Sequence, residues 1–439
     1  MKLKLIVLIL LLALLLTGCY SFASGDALYA LPQQSEEYRA LQKAVESAMG
    51  SGSYSAPVSG DNLQPIQRVD LDGDGQKETV VFCKKDGDRP LKMLIFRREQ
   101  ERFILSCTLE GDGSAFDSVQ YAQVDGLPGM EILVSRRLGE QVQQFLSVYT
   151  FHDGTAKELM SSGCYAYTVL DLDGDQRSDI FILRANADGP RAFAELYRFG
   201  EEGLQKDAES SLSTGVDSVK RILTGQVDKG VPAVFVASAY DENNLITDVF
   251  ALNQNVFTNI TQNDESGQSA QTVRNYYVYS TDIDGDGVIE LPETLALPAL
   301  EGDSSSEGQY RILWYNLSPD GTRTEKKTTY HNFAEGWFLF LPESWCQNLC
   351  VTKRRSEEGY AGTELALLGE DQRLTPLVTV YSFTGSQAQK QSGADGRFLL
   401  AQRGEVFVSA LLGEAAGLDQ EELLNWFRFI SPDLLPNDK

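Results

Sequence analysis

The sequence predicts a mainly β chain, a β-propeller of at least five blades followed by a small α+β domain. Three observations carry this expectation. An acidic Asp-x-Asp-Gly-Asp motif recurs through the middle of the chain, short β-branched and aromatic runs fill the intervals, and the repetition stops near residue 328. At 439 residues the chain exceeds what one hydrophobic core usually serves. Its hydrophobic fraction of 42% and charged fraction of 23% are those of a folded protein, so disorder is not the default. The expected divisions are 1–18, an export signal; 19–60, a tether and short helix; 61–327, the repeats; and 328–439, the second unit.

At the N-terminus Lys2 and Lys4 precede an unbroken apolar run from Leu5 to Leu16, and Thr17, Gly18 and Cys19 follow. This is export-signal architecture, and the run is shorter than the roughly 20 residues a spanning helix needs. Leu16-Thr17-Gly18-Cys19 resembles the lipobox of bacterial lipoproteins. That resemblance implies cleavage before Cys19, a diacylglyceryl group on its thiol and a lipid-anchored chain on the extracytoplasmic face of a cell membrane. An ordinary signal peptide with an incidental cysteine is the plainer alternative. Residues 20–34 read as tether. Tyr38, Leu41, Ala44, Val45 and Ala48 then recur at helical spacing between Ser35 and Met49, and 50–59 is a Gly/Ser-rich linker.

Three segments match one another closely, at 69–78, 170–179 and 281–290, and weaker copies lie at 123–131 and 226–233. Anchored on Asp70, Asp125, Asp171, Asp228 and Asp282, the copies recur at intervals of 55, 46, 57 and 54 residues, a period suited to propeller blades. Strand-like runs lie between them: Thr79–Phe82, Lys92–Phe96, Phe145–Tyr149, Ile180–Leu183 and Tyr276–Tyr279. No helical pattern appears between about 65 and 325. Four strands per repeat, packed radially, leave only short protected edges. A pair of β-sandwiches is the alternative architecture.

Carboxylates at alternate positions of a tight loop suit calcium, which takes six to eight oxygen ligands, with glycine permitting the turn. In the first loop Asp70, Asp72 and Asp74 would coordinate by side chain, Gln76 by its carbonyl, and Glu78 would close the shell. The second would use Asp171, Asp173, Asp175, the carbonyl of Arg177 and Asp179; the third Asp282, Asp284, Asp286, the carbonyl of Val288 and Glu290. Solvated polar turns are the bland reading of any single such loop, but three in register favour metal. Similar loops occur in EF-hands, where helices flank the loop and position twelve is glutamate. The first two loops have Val81 and Ile182 there; the third offers Glu293, next to Pro292.

The pattern of Asp-x-Asp-Gly-Asp, then Asp or Glu, then an apolar strand resembles the FG-GAP or VCBS repeats of integrin-like propellers and bacterial surface proteins, over about residues 60–325. The resemblance implies calcium between strands of a blade and a propeller that serves as a recognition scaffold. The copy at 123–131 keeps Asp125 and Glu131, and that at 226–233 essentially Asp228, so calcium is not expected with equal force there.

After 328, the runs at Trp337–Leu341, Leu365–Leu368, Leu377–Tyr381 and Val406–Val408 read as strands. Asp419 can cap a helix placing Leu423, Trp426, Phe427 and Ile430 on one face before Pro432. Trp337, Trp345 and Trp426 read as core.

A net charge of −25 repels nucleic acid, which is excluded as a partner. Of six cysteines, five remain beside Cys19, which excludes a complete disulfide framework; Cys346 and Cys350 fit either a bridge or two buried thiols. Only two histidines, His152 and His331, are present and Cys-x-x-Cys spacing is absent, so a structural zinc site is not expected. They also leave little room for Ser-His or Cys-His chemistry, and no Gly-x-Ser-x-Gly elbow or phosphate loop appears. The sequence therefore favours a non-catalytic envelope module binding a protein or glycan. A cell-wall or glycan hydrolase using paired carboxylates is the alternative, to be judged by any pocket that gathers carboxylates outside the loops.

Overall fold

The computed structural model describes residues 35–139, 144–263, 265–275, 278–355 and 360–431. The expected signal, Cys19, the tether, Tyr276, Tyr277 and Pro432 lie outside them. Helix α1 (Glu36–Met49) begins where the Ser35 hydroxyl accepts from the Tyr38 N–H, an N-cap that satisfies one orphan donor. It docks through Leu41, Ala44, Val45 and Ala48 on Val81, Leu94 and Phe96. Tyr38, expected on that face, is half exposed, because the docked stripe begins one turn later.

The expected linker is a strap. Its β1 (Ser53–Tyr54) pairs with Lys84 and Cys83, the Ser55 N–H donates to the Phe82 carbonyl, and the Val58 and Ser59 N–H groups donate to the Asp117 carbonyl. Composition alone suggests flexibility, but open strand edges offer its backbone partners.

Six antiparallel sheets follow in chain order. The first holds β2 (Ile66–Val69), β3 (Glu78–Lys84), β4 (Leu91–Glu99) and β5 (Arg102–Gly111), with β1 and β2 both on one edge of β3. The second is β6 (Ala115–Ala122), β7 (Glu131–Arg137), β8 (Gln144–His152) and β9 (Thr155–Cys164). The third is β10 (Ala166–Leu170), β11 (Asp179–Arg184), β12 (Phe193–Gly200) and β13 (Gly203–Ser211). The fourth is β14 (Val219–Asp228), β15 (Val231–Ala239), β16 (Leu245–Asn253) and β17 (Val256–Asn259). The fifth has β18 (Leu291–Ala296), β19 (Tyr310–Leu317), β20 (Arg323–Asn332) and β21 (Trp337–Phe340). In the sixth, β22 (Leu349–Arg355), β23 (Ala361–Leu368) and β24 (Leu374–Phe383) are joined by β25 (Phe398–Arg403) and β26 (Val406–Leu412) in the order β22-β23-β24-β26-β25.

Successive sheets stack face to face, and the period of two along each strand explains how. Ile132 and Val134 of β7 pack towards the first sheet, whereas Leu133 packs towards the third. Likewise Ile180 and Ile182 of β11 face the second sheet, while Phe181 and Leu183 face the fourth. Val234 and Val236 of β15 face the third, and Ala233 and Phe235 the fifth. Strands buried on both faces read as continuous apolar runs rather than alternating ones, which is why the second strand of each sheet is the easiest to see in the sequence.

Between residues 65 and 325 the described residues contain only short 3-10 turns, at 216–218, 270–272 and 304–306. The run at 276–279 is not a strand where described: Val278 to Ser280 are irregular, and Thr281 makes an isolated bridge with Glu290. The boundary expected at 327/328 falls inside β20. One core joins Tyr330, Trp337 and Leu339 of the fifth sheet to Val351, Leu365, Val380 and Val408 of the sixth. The C-terminal part adds helices α2 (Glu343–Cys346), α3 (Ala388–Ser392) and α4 (Gln420–Trp426). Asp419 and Glu422 form a reciprocal capping box at α4. The expected helical face stops at Trp426, because Phe427–Phe429 forms β27 and pairs with β21. Trp337 and Trp345 are buried and Trp426 is half-buried; Cys346 and Cys350 are both free thiols. Among the described residues no helix is long and apolar enough to cross a membrane.

Candidate metal centres

The acidic segments occupy the same structural place in successive sheets. Residues 70–77 connect β2 to β3, 123–130 connect β6 to β7, 171–178 connect β10 to β11, and 229–230 connect β14 to β15. In the fifth sheet 282–289 lie within the Thr281–Glu290 bridge, just before β18. These hairpins are also joined side by side. The Met130 N–H donates to the Leu71 carbonyl, the Ser178 N–H to the Gln123 carbonyl and the Ile289 N–H to the Gln226 carbonyl. Gly129, at φ +116°, lies so close to the Leu71 carbonyl that a side chain there has no room.

Each loop is closed by one deeply buried carboxylate. Glu78, Asp179 and Glu290 are 3%, 4% and 0% exposed, and each accepts the N–H of the residue following the first aspartate, from Leu71, Leu172 and Ile283 respectively. The first aspartates hold the turn. Asp70 accepts from Gly73 and Gly75, Asp171 from Gly174 and Gln176, and Asp282 from Gly285, Asp286 and Gly287.

Of the expected ligands, the structure gathers Asp70, Asp72 and Glu78; Asp171, Asp173 and Asp179; and Asp282, Asp284 and Glu290. Within each trio, one oxygen from every residue lies within 4.8 Å of the others. Asp74, Asp175 and Asp286 are not in these trios. Each accepts the N–H two residues on, from Gln76, Arg177 and Val288, which turns the carboxylate back onto the chain. Asp175 is further held by the Arg177 guanidinium, and Asp286 by the Lys326 ammonium at 3.0 Å. The flanks are strands or extended backbone, and Glu293 pairs with Arg323 inside β18, so the EF-hand reading does not hold.

The electrostatics favour a cation. Burial, joined by neighbouring carboxylates and opposed by the Leu172 N–H, pushes Asp179 up to about 7; the same balance pushes Glu290 to about 7 and raises Glu78. One Glu290 oxygen, Oε1, is buried with no hydrogen-bond partner, which leaves it free for a ligand. The donor set of each trio is oxygen alone, and it fits a hard divalent cation such as calcium.

A fourth trio forms at the weaker copy, from Asp125, Glu131 and His152. Sequence reasoning missed it because His152 lies 21 residues beyond Glu131, at the end of β8. At 228–230 the chain instead makes a tight hairpin, and the Asp228 carboxylate accepts from Lys229 N–H and the Ser318 hydroxyl.

Away from the loops, the fifth sheet and α2 line a cleft of about 510 Å³ that includes Arg311, Glu325, Lys326, Lys327, Glu343 and Cys346. It gathers two carboxylates, Glu325 and Glu343, among three cations.

No protein-family model matches the chain, and no curated protein matches its sequence. Among solved structures, Sqt1 of Chaetomium thermophilum is 10% identical over 81% of this chain and 96% of its own, with a TM-score of 0.32. The exotype rhamnogalacturonan lyase YesX is 13% identical over 67% of this chain, at a TM-score of 0.26, and this chain spans 59% of its length. A Lactobacillus plantarum protein is 11% identical, covering 72% of this chain and 88% of its own, at 0.25. Superpositions this loose carry no argument about fold detail or activity.

Proposed function

We propose that this chain is a non-catalytic lipoprotein of a bacterial cell envelope, held to the membrane through lipid on Cys19. Its stacked sheets act as a calcium-stabilised propeller of FG-GAP/VCBS type, with at least five blades, that binds or scaffolds a protein or glycan. The observation that supports this best is the recurrence of the loop at equivalent places in successive sheets, four of the five carrying a ligand-type trio, with backbone bonds between the first and second, the second and third, and the fourth and fifth. Calcium would be held by Asp70, Asp72 and Glu78, by Asp171, Asp173 and Asp179, and by Asp282, Asp284 and Glu290, with the carbonyls of Gln76, Arg177 and Val288 as further candidates. It would supply charge neutralisation at connections that each join two strands, and so would act on stability before recognition.

The test is metal analysis and thermal unfolding of the full chain in calcium and in chelator, beside Asp72→Ala and Asp173→Ala. Bound calcium and a melting temperature that chelator lowers, with the lowering reduced in both variants, support the reading. Identical curves and no retained metal overturn the calcium assignment. Cell fractionation tests the anchor separately: Cys19→Ala moves the chain out of the membrane fraction if Cys19 is lipidated.

The cleft beside α2 favours one competing reading, a glycan hydrolase using Glu325 and Glu343. Release of reducing ends from cell-wall glycan, abolished by Glu343→Gln, would replace the non-catalytic reading.

A further inference from the structure

The Asp125–Glu131–His152 trio differs in kind from its three neighbours. Its loop has the same eight residues, but Gln123 stands where the others have their first aspartate, its side-chain oxygen accepting the Gly126 N–H as Asp70 accepts that of Gly73. Asp125 stands at the place of Asp72, Asp173 and Asp284, and Leu127 at that of Asp74, Asp175 and Asp286. The place that the first aspartate has in the other trios is taken from the side by His152, at the end of β8. In four sheets the strand that follows the loop pairs an aromatic of the next strand in the same register: Thr79 with Phe96, Ile132 with Tyr149, Ile180 with Tyr197 and Leu291 with Tyr315. Three residues beyond those aromatics stand Glu99, His152, Gly200 and Ser318. Only the second sheet of these four sets an imidazole at that place.

The two carboxylates are buried, and the His152 side chain, one-third exposed, reaches in beside them with its Nε2. Asp125 and Glu131 are 8% and 1% exposed. Glu131 Oε2 accepts from the Val124 and Asp125 N–H groups, which fixes the carboxylate as in the other loops. The Thr150 hydroxyl lies 3.1 Å from Asp125 Oδ2 and 3.3 Å from Glu131 Oε1, a shared donor that sets both carboxylates towards one point. His152 Nε2 is shut off from solvent with no hydrogen-bond partner, and it stands 3.8 Å from Asp125 Oδ2, too far for a hydrogen bond. An imidazole nitrogen, buried and unpartnered against two buried carboxylates, is a vacant donor. Its chemistry is not that of calcium, which takes oxygen; one nitrogen and two carboxylate oxygens suit a zinc-class transition ion.

We propose that Asp125, Glu131 and His152 form a mixed nitrogen–oxygen site for a divalent transition ion of the zinc class, distinct in selectivity from the three all-oxygen loops. Three protein ligands leave a tetrahedral ion a fourth position, open to water or to a donor from a partner. The Thr150 hydroxyl is a positioning group that holds the two carboxylates.

The test is a zinc titration of the full chain followed by calorimetry, in calcium sufficient to saturate the oxygen loops, with cobalt as a spectroscopic stand-in. The expected result is one zinc equivalent that excess calcium does not displace, with intense visible cobalt bands of a tetrahedral site. His152→Asn removes that equivalent and those bands while leaving the calcium-dependent rise in melting temperature intact. His152→Asp, which restores three carboxylates, lowers zinc affinity and raises calcium uptake. The proposal is overturned if no zinc binds, if calcium displaces it, or if His152→Asn binds zinc like the parent chain. The last two outcomes place zinc in an oxygen loop or on a cysteine, and the first makes His152 and Asp125 a plain ion pair. Failure of the calcium reading is scored separately, by the unfolding curves.

Discussion

The hairpins at 171–178 and 123–130 sit on adjacent sheets, joined by the Ser178–Gln123 backbone bond, yet they are built to different specifications. The first is a self-contained acidic turn whose clustered carboxylates, Asp171, Asp173 and Asp179, come from nine consecutive residues. The second has Gln123 in place of the first aspartate, keeps Asp125 and Glu131, and has Thr150 and His152 of β8 beside them. What both retain is the buried closing carboxylate, bonded to the N–H seven residues earlier, of Leu172 and Val124. That bond belongs to the fold, whereas the other side chains at the loops differ and, on the proposals above, would set which cation is held.

The largest expected effect breaks or upholds the first half of this comparison. Each site filled only in the native state contributes about 2.7 kcal/mol at one hundred times its dissociation constant, so chelation removes several such increments. Thermal unfolding with and without chelator should show a larger shift than any single substitution produces, and no shift would make the acidic turns purely structural.

Next is the closing carboxylate itself. Glu131→Ala orphans the Val124 and Asp125 N–H groups, at about 1–3 kcal/mol for each buried unpaired donor. Denaturant unfolding should show this loss even in chelator. A loss seen only with metal present would mean that the carboxylate acts as a ligand and not as part of the fold.

Gly129→Ala comes third. It combines a left-handed backbone with a collision at the Leu71 carbonyl, and should cost about 1–2 kcal/mol at the seam between the first two sheets. Gly174, also at positive φ but with open space around it, should lose less on the same change, as both midpoints will show.

The pH dependence comes last, read in chelator so that no cation competes with the proton. The folded-state value of Asp179, about 7, lies above its ordinary 3.8, so the folded chain holds more protons in between. In chelator, stability therefore falls as pH rises from about 4 to about 7, and calcium adds more at pH 8 than at pH 5. Asp179→Asn should flatten both trends; an unchanged slope would place the titration elsewhere.

The three acidic turns were legible because each gathers its carboxylates from within nine residues, where spacing alone reveals convergence. His152 was not, since its approach depends on strand register, which pairs Ile132 with Tyr149 and so brings the end of β8 beside the loop. A repeat comparison extended from the loops to the aromatics at 96, 149, 197 and 315 would have shown it. The sheets themselves were visible as doubly buried apolar runs such as Ile180–Leu183. The strap at 53–59 was hidden, because its side chains say little and its placement comes from backbone groups meeting open edges. The boundary near 328 failed for a related reason: the repeat ends there in sequence, but β20 and its pairing continue.

That strap also sets how the body would bear a load. Ser55 is tied to Phe82 in the first sheet, while Val58 and Ser59 are tied to Asp117 in the second. Asp117 is in turn clasped by the Ser59 hydroxyl, Arg137 and Gln144. Tension arriving from the N-terminal side would first meet α1 and then be shared between two sheets at once. A body tethered at that end would be tugged as a unit, its opening sheet braced by its neighbour instead of being drawn off alone.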